Sequence, residues 1–466
     1  MRAVIEHFRE GTVGVLLLSA LAGGLALDLG SEGVEREQEA PVRGARFEER
    51  ALFCPPPAAG RVVTGKLTLA SESGEDLLVE VSPQQPEPST LEGGHSRVVD
   101  VVDPADVVGL GGPVYAGATI VSSKPVAGAG AARCSRTAAS RWYFGEGSSL
   151  LGFDERLLIY NPFPDEAVVR VVFFTPVGES AKANLADVGV PAGEWRVVRV
   201  NDFILRQRTL AASVEAVRGR VVAWRAATVK AERASSLQLS LGSPTAGDIW
   251  YLPAGAVGEG VSERIAVLNP SEEEAVVTVQ LVTDDEAIQP PKLVDLAIPA
   301  RSSRSISLAR SVTGRQNDAG GVGAIVRSTS GADIVVEGTV SYDTRLLEGV
   351  ASEMGAQKPE ADWLLGPAAF ASETDGVVLL NPGGEAASVS IELWFSDREP
   401  LRAASLQDLE VGAGTRTRVQ LQKWTQGQPV VAVVASDVPI VAGRTASTSS
   451  DVATVMGLPA STRSEQ

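Results

Sequence analysis

Few residues in this chain have the types and spacing that catalysis requires. The sequence contains two histidines, His7 and His95, and His95 follows two glycines in a predicted turn, where a solvent-exposed loop histidine is the simplest interpretation. Neither a Gly-x-Ser-x-Gly nor a Ser-x-x-Lys nucleophile motif occurs. We therefore predict no catalytic residue, no metal site and no cofactor, and we expect the protein not to be an enzyme.

Three segments resemble ligand-binding loops superficially. Residues 60–67 match the phosphate-binding loop motif at all but one position. Leu67 stands where a Mg²⁺-binding hydroxyl is required, so we interpret the match as chance. The acidic segments 271–274 and 283–286 offer hard oxygen ligands for calcium, but neither has the spacing of a known calcium loop. We interpret both as solvated turns.

An aromatic cluster is the best candidate for ligand binding. Trp142, Tyr143 and Phe144 are consecutive, and Glu146 follows two residues later. Aromatic faces suit the apolar side of sugar rings, so these residues are a possible carbohydrate site. The alternative is core packing, because a repeated tryptophan on the first strand of a domain is usually buried.

The same cluster begins a long internal repeat. Trp142, Trp250 and Trp363 are each followed, 18 or 19 residues later, by an Asn-Pro pair, and the tryptophans are 108 and 113 residues apart. A turn such as Val-Pro-Ala-Gly at 190–193 lies about 30 residues after each Asn-Pro pair. A period of this length matches a whole small β domain.

Short apolar runs separated by turns predict β-strands within each repeat. In the second repeat these runs are 157–160, 167–174, 188–190, 195–200, 212–217 and 221–226, the last of which is expected to close the module. Segments 103–106 and 201–204 are predicted to be short helical turns. The fold class is therefore all-β, as tandem immunoglobulin-like antiparallel sandwiches that each bury a private core. A β-propeller is the alternative.

The predicted domain boundaries follow from these landmarks and from linkers rich in small residues. Modules one to four cover residues 49–137, 141–244, 249–356 and 362–460, after a signal anchor or signal peptide at 1–29 and a flexible stalk at 30–48, and before a loose tail at 461–466.

The amino-terminal segment and the cysteines indicate an extracytoplasmic location. Residues 11–27 lack charge, with Arg2 and Arg9 before them and acidic residues after them, as in a membrane anchor whose amino end faces inward or in a cleaved signal peptide. Cys54 and Cys134 lie at the two ends of module one and are predicted to form a disulfide, with two free buried thiols as the alternative. The net charge of −17 argues against nucleic-acid partners.

The segments Trp-Tyr-Phe-Gly-Glu-Gly at 142–147, Leu157 to Pro162 and Val-Pro-Ala-Gly at 190–193 resemble a repeat family of actinobacterial secreted and membrane-anchored envelope proteins. This resemblance implies a β-rich extracytoplasmic protein without an assigned catalytic residue. Module three has Ala254 in place of Glu146, which weakens the case for a repeated site.

We therefore expect a membrane-anchored scaffold or adhesion-type protein of the cell envelope, held by its amino-terminal helix, that binds protein or polysaccharide partners. A secreted location is the alternative. The alternative functions are carbohydrate binding through exposed aromatic residues and a hydrolase with unidentified carboxylates.

Overall fold

Strand follows strand along this chain because β-branched runs alternate with turns. The computed structural model describes residues 51–56, 63–122, 127–230, 235–308, 320–345, 347–369 and 372–460. The predicted anchor, stalk and tail lie outside these residues. Within the described part of the chain, no helix is long and apolar enough to cross a bilayer.

The strands fall into four sets that follow one another along the sequence. Set 1 comprises β1 (Ala51–Cys54), β2 (Val63–Ser71), β3 (Leu77–Ser82), β4 (Gln85–Leu91), β5 (Ser96–Val101), β6 (Ala105–Leu110), β7 (Val114–Ser122) and β8 (Gly128–Arg133). Set 2 comprises β9 (Arg141–Phe144), β10 (Phe153–Tyr160), β11 (Ala167–Thr175), β12 (Gly178–Ala181), β13 (Val188–Val190), β14 (Trp195–Arg199), β15 (Ala211–Arg218), β16 (Val222–Lys230) and β17 (Ser235–Leu241), with 3-10 turns at Ala183–Leu185 and Val200–Asp202.

Sets 3 and 4 repeat this order. Set 3 comprises β18 (Ile249–Val257), β19 (Val261–Asn269), β20 (Ala275–Val282), β21 (Ala287–Ile288), β22 (Leu296–Ile298), β23 (Ser302–Ser307), β24 (Gly320–Ser328), β25 (Val335–Asp343) and β26 (Glu348–Met354), with a 3-10 turn at Pro291–Leu293. Set 4 comprises β27 (Glu360–Leu365), β28 (Thr374–Leu380), β29 (Ala387–Trp394), β30 (Leu409–Val411), β31 (Arg416–Gln420), β32 (Val431–Ser447), β33 (Val452–Met456) and β34 (Leu458–Pro459), with a 3-10 turn at Ala404–Leu406 and a helix α1 at Gln422–Thr425.

Each set forms two antiparallel sheets with the same strand order. In set 1 the first sheet is β1-β6-β3-β4 and the second is β5-β2-β7-β8. Sets 2 and 3 follow this pattern, as β9-β15-β11-β12 with β14-β10-β16-β17 and as β18-β24-β20-β21 with β23-β19-β25-β26. In set 4 the long strand β32 runs through both sheets, because it pairs with β27 and β29 in its first half and with β28 and β33 in its second half. The all-β prediction is confirmed.

The sets contact one another head to tail, and the contacts close a ring. In set 2 the first sheet packs against β23 and β25 of set 3, and the first sheet of set 3 packs against β28, β31 and β32 of set 4. The Phe395 carbonyl oxygen, after β29, accepts a 2.9 Å hydrogen bond from the Ser96 amide in β5 of set 1. Tyr160 in set 2 donates a 3.2 Å hydrogen bond to Asp106 in set 1. The fourth set therefore touches the first, and the described residues of the four sets form one compact unit.

The last strand of sets 1, 2 and 3 and the second-to-last strand of set 4 lie together at the centre of this ring. We call β8, β17, β26 and β33 the inner strands. They contact one another in the order β8, β17, β26, β33 and back to β8. The prediction that the strand at 221–226 closes its module is therefore wrong, because β17 follows it.

Two further expectations are corrected by the structure. The apolar core is continuous between sets 1 and 2, with Val107, Leu158 and Trp224 in one cluster, so these two sets do not bury private interiors. The predicted helical turn at 103–106 is instead a bend that leads into strand β6, which begins at Ala105. The turn expected at 201–204 overlaps the 3-10 turn at Val200–Asp202.

Candidate functional site

The repeated tryptophans are structural. Trp142, Trp250 and Trp363 have exposed fractions of 0%, 1% and 1%. Their indole N–H groups donate to backbone carbonyl oxygens at equivalent positions of the three repeats, Val221 at 2.7 Å, Ile334 at 2.8 Å and Ile440 at 3.0 Å. Each ring fills the core and ties the first strand of its set to the start of β16, the start of β25 or the middle of β32, which explains the repetition without a ligand.

The other aromatic residues of the predicted sugar platform are also buried. Phe144 is fully enclosed in the core of sets 1 and 2, and Tyr143 packs against the core of set 3. The phenol oxygen of Tyr143 lies 3.3 Å from a guanidinium nitrogen of Arg141 at the surface. These rings therefore present no stacking face to solvent in this structure.

The Asn-Pro pairs also have an interior role. Asn161, Asn269 and Asn381 are fully buried. In each repeat the amide nitrogen donates 2.7 Å and 3.0 Å hydrogen bonds to two backbone carbonyl oxygens, and the amide oxygen accepts from the backbone N–H two residues later. The side chain thus joins the end of one strand to the Val-Pro-Ala-Gly type turn. These bonds satisfy the buried amide, since buried polar groups need hydrogen-bond partners.

Glu146 belongs to a buried ion network between sets 2 and 3. Its carboxylate is 3.3 Å from Arg264, and its backbone N–H donates to Glu337 at 3.1 Å. Glu337 is also paired with Arg225, and both of these side chains are almost fully buried. Burial raises the pKa of Glu146, and the charges of Arg264 and Arg225 oppose that rise. The network joins two sets, so Glu146 has a structural role, and its ligand role stays a prediction.

A buried carboxylate recurs on the second strand of sets 2, 3 and 4. Glu155, Glu263 and Asp375 occupy equivalent positions. Two residues after each of them lies the residue that pairs across the sheet with Arg225, Gly338 or Arg444, respectively. Asp375 and Arg444 form a two-pronged ion pair with distances of 2.8 Å and 2.7 Å. Burial raises the pKa of Glu155 to about 7, opposed mainly by the charge of Arg225.

Set 3 departs from this pattern because glycine replaces the arginine. Burial raises the pKa of Glu263 to about 8, with the charge of Arg416 from set 4 opposing the rise and that of Glu353 adding to it. Burial alone raises the pKa of Glu353 to about 8. Arg416 itself lies 3.4 Å from Asp284, in the acidic turn 283–286 considered above for calcium.

The inner strands surround a small cavity of about 30 Å³. Each inner strand contributes three consecutive residues, 131–133, 239–241, 352–354 and 454–456. A second cavity of about 10 Å³ lies between sets 3 and 4 and is lined by Glu263, Gly338, Glu353 and Thr454, among others. Glu353 and Thr454 line both cavities.

Asp451 links the sets at the start of the inner strands. One of its carboxylate oxygens accepts 3.1 Å and 2.9 Å hydrogen bonds from the backbone N–H groups of Ala129 in set 1 and Leu237 in set 2. The other accepts from Val452 at 2.8 Å. The side chain is fully buried, and burial raises its pKa to about 7, partly offset by these donors. One carboxylate of set 4 thus accepts backbone hydrogen bonds from two other sets.

The remaining predicted residues have simple placements. Cys54 and Cys134 form a disulfide, as predicted. Lys66, in the loop-like motif, lies within strand β2 and pairs with Asp100. The described residues contain no group of three or more His, Cys, Asp or Glu side chains arranged to hold a metal ion.

Comparison with known proteins identifies the family. The profile described as a family of unknown function (DUF5719) matches residues 89–238 and 328–458, more than half of the chain. The chain belongs to the DUF5719 family. No curated protein matches it. A crystal structure of Thermotoga maritima 1070 is similar at 18% identity, over 23% of this chain and 95% of that one, with a TM-score of 0.21, and we base no conclusion on it.

Exposed apolar side chains are not spread evenly over the surface of this DUF5719 protein. Among the described residues, the large hydrophobic side chains that are exposed lie in sets 1 and 2. Leu151 and Leu205 have exposed fractions of 103% and 69%. Their loops are joined through Ser149, which accepts a 3.1 Å hydrogen bond from the Arg206 amide and donates one of 2.9 Å to the Gln207 carbonyl oxygen. We call Leu151 and Leu205 the leucine patch.

Proposed function

We propose that this DUF5719 protein is a non-enzymatic scaffold of the extracytoplasmic cell envelope that binds a protein partner through the leucine patch. The exposure of Leu151 and Leu205 on two loops that are fixed to each other carries the proposal. Exposed apolar groups on a rigid support are typical of protein-binding surfaces.

The buried interior, where the residues shared by the repeats lie, supports a structural role. The side chains that the repeats share form structural hydrogen bonds inside the sheets, and the buried carboxylates Glu263 and Glu353 face cavities of about 10 Å³ and 30 Å³. These volumes are far smaller than a substrate pocket of several hundred Å³. The contacts from set 4 back to set 1 favour a closed, propeller-like arrangement in which every set contributes two sheets, as in the alternative architecture.

Location at the envelope remains part of the proposal. It is supported by the Cys54–Cys134 disulfide, because disulfides persist in oxidising compartments, and by the charge pattern of residues 1–39. Proteomic detection of the mature amino terminus distinguishes an uncleaved anchor from a signal peptide.

The test is capture of envelope components by the purified protein. We expect the wild type to retain a defined envelope protein, and the Leu151→Ser/Leu205→Ser double variant to lose it because the apolar contact is removed. Val177→Ser is the matched control, since Val177 is equally exposed but lies in a different turn. Equal capture by the wild type and the double variant contradicts the leucine patch. Retention of purified cell-wall polysaccharide alone favours the carbohydrate-binding alternative.

A further inference from the structure

The inner strands carry different residues at one equivalent position beside the central cavity. Across the sheets, the inner-strand residue at this position pairs with its partner strand as Arg133 with Gly117, Ser240 with Arg225, Glu353 with Gly338 and Val455 with Arg444. In sets 2 and 4 the partner strand supplies an arginine and the inner strand an uncharged residue. In sets 1 and 3 the partner strand has glycine, and the inner strand supplies the ionisable side chain. Arg133 and Glu353 therefore face the cavity from two sets that are not neighbours in the ring.

Arg133 has no carboxylate partner within the described part of the chain. Its side chain is partly buried, and the charged or titratable groups that act on it are Arg136 and Tyr115. Burial lowers the pKa of Arg133, but a guanidinium group keeps its proton in proteins. A positive charge without a counter-ion therefore lies at the cavity wall, and such a charge is costly where water is excluded.

Two neutral hydrogen-bond donors share this wall. The Ser240 hydroxyl is in a residue that is 5% exposed, and it has no hydrogen-bond partner among the described residues. Burial raises the pKa of Glu353 to about 8, so at neutral pH its carboxyl group is protonated and can donate. Its Oε1 atom is likewise without a partner in the described ranges. Buried polar atoms are rarely left unsatisfied, and the partner that suits a guanidinium, a hydroxyl and a protonated carboxyl group together is an anion.

A negative charge already lies at the centre of the ring, close to this cavity. The Asp451 carboxylate accepts hydrogen bonds from the backbone N–H groups of Ala129 and Leu237, which lie on the free edges of β8 and β17. The N–H groups of an antiparallel edge strand alternate between its partner and its free edge. Ala131 and Leu239, two residues further along, therefore direct their N–H groups to the same side, and both residues line the cavity.

We propose that the central cavity binds one chloride ion, held by Arg133, Ser240 and Glu353. The cavity of about 30 Å³ has room for about two water-sized particles, which admits a monatomic anion and excludes phosphate and organic carboxylates. Water alone fills the same space but leaves the charge of Arg133 unbalanced. The ion joins sets 1, 2 and 3 at the centre of the ring.

The test measures chloride binding and thermal stability in the purified full chain. In chlorine NMR, exchange of chloride with a protein site broadens the line, and we expect the wild type to broaden it and bromide to compete. The thermal midpoint is expected to be higher in sodium chloride than in sodium gluconate at equal ionic strength, because a ligand that binds only the native state stabilises it. A wild type that neither broadens the line nor gains stability in chloride holds only water in the cavity and overturns the proposal.

Three variants separate the cavity from the surface. Arg133→Gln removes the charge and is expected to lose both the line broadening and the stabilisation by chloride. Ser240→Ala removes one donor and is expected to weaken chloride binding about tenfold or more, and it gives the same comparison if Arg133→Gln does not fold. The matched control is Arg402→Gln, because Arg402 is 73% exposed and pairs with Glu392 at the surface. This variant is expected to bind chloride like the wild type, and an equal loss in Arg133→Gln and Arg402→Gln overturns the proposal.

The pH dependence tests the donor role of Glu353. The charged or titratable groups on the strands around it are Arg133, Arg225, Glu263, Glu337, Arg416 and Arg444. Above about pH 8 the ionised Glu353 repels the anion, so chloride binding by the wild type is expected to weaken there. Glu353→Gln cannot ionise and its amide still donates, so this variant is expected to bind chloride at neutral pH and to show a smaller loss at alkaline pH.

Loss of chloride binding by Glu353→Gln at neutral pH, or an unchanged pH profile in this variant, overturns the role of Glu353. The chloride measurement is independent of partner capture, so the two proposals fail separately.

Discussion

Closure of the ring between sets 1 and 4 can be tested at a single hydroxyl group. Tyr115 in β7 is 2% exposed, and its oxygen accepts a 2.6 Å hydrogen bond from the backbone N–H of Gly366 in set 4. The substitution Tyr115→Phe keeps the ring and removes this acceptor. The Gly366 N–H is then buried without a partner.

The expected cost follows from that orphaned donor. A buried, unsatisfied hydrogen-bonding group costs about 1–3 kcal/mol. If the interface opens locally, amide exchange at Gly366 speeds up by about 5- to 150-fold, since about 1.4 kcal/mol corresponds to a factor of ten. Hydrogen exchange followed by mass spectrometry on peptides covering 364–369 and 115–122 measures this change.

The matched control is Tyr143→Phe, which removes the same atom from another largely buried tyrosine. The Tyr143 hydroxyl bonds to Arg141, whose side chain is 53% exposed, so water replaces the lost contact and we expect a change within about 0.5 kcal/mol. Unchanged exchange at Gly366 in Tyr115→Phe, or an equal change in both variants, refutes the idea that this bond holds the ring closed.

Three further predictions concern the interior. Asn269→Ala is expected to lower the free energy of unfolding by about 2–4 kcal/mol, because it leaves buried backbone groups without hydrogen-bond partners. Urea titration measures this loss, and a loss no larger than that of an alanine substitution at an exposed position contradicts the prediction. Replacing Cys54 and Cys134 with alanine is expected to lower the free energy of unfolding by about 4 kcal/mol, because the unfolded chain gains conformational entropy without the disulfide. An unchanged urea midpoint contradicts this prediction. Burial places the pKa of Asp451 near 7, above its unfolded value, so its stabilising contribution is complete below about pH 4 and is lost as pH rises through 7. We expect stability to fall between about pH 4 and 7 and Asp451→Asn to flatten that fall; an identical pH profile in the variant contradicts the assignment.

The local sequence predicted most of the strands because their signals are local. Runs such as 167–174 and 188–190 are β-branched and bounded by turns, and the structure has strands at Ala167–Thr175 and Val188–Val190. The disulfide also followed from the placement of Cys54 and Cys134. The buried roles of the tryptophans agree with the packing alternative, which the repeat itself favours over a ligand.

The inner strand β8 carries almost no local strand signal. Strand β8 has the sequence Gly-Ala-Gly-Ala-Ala-Arg, which carries none of the β-branched signal on which strand prediction depends. Small residues are needed there because the strands approach closely. A Cβ atom on Gly128 would lie 2.6 Å from the Leu237 nitrogen, and one on Gly130 would lie 3.0 Å from the Leu237 oxygen.

The pair of buried carboxyl groups beside Gly338 was equally invisible in the sequence. Glu263 and Glu353 are 90 residues apart, and nothing in their spacing brings them together. A comparison of the repeats does show glycine at 338 where arginine stands at 225 and 444. That difference becomes meaningful only when a carboxylate is seen to face it.

The all-β class, the fourfold order of strands and the disulfide can be read from the amino-acid order, because strand propensity, turns and the repeat are encoded within a few neighbouring residues. That set 4 meets set 1, which strands line the centre and which buried carboxyl groups lie close together are visible only in the folded molecule. These features depend on contacts between residues far apart in the chain, such as Tyr115 with Gly366 and Asp451 with Ala129. Only folding brings such residues together.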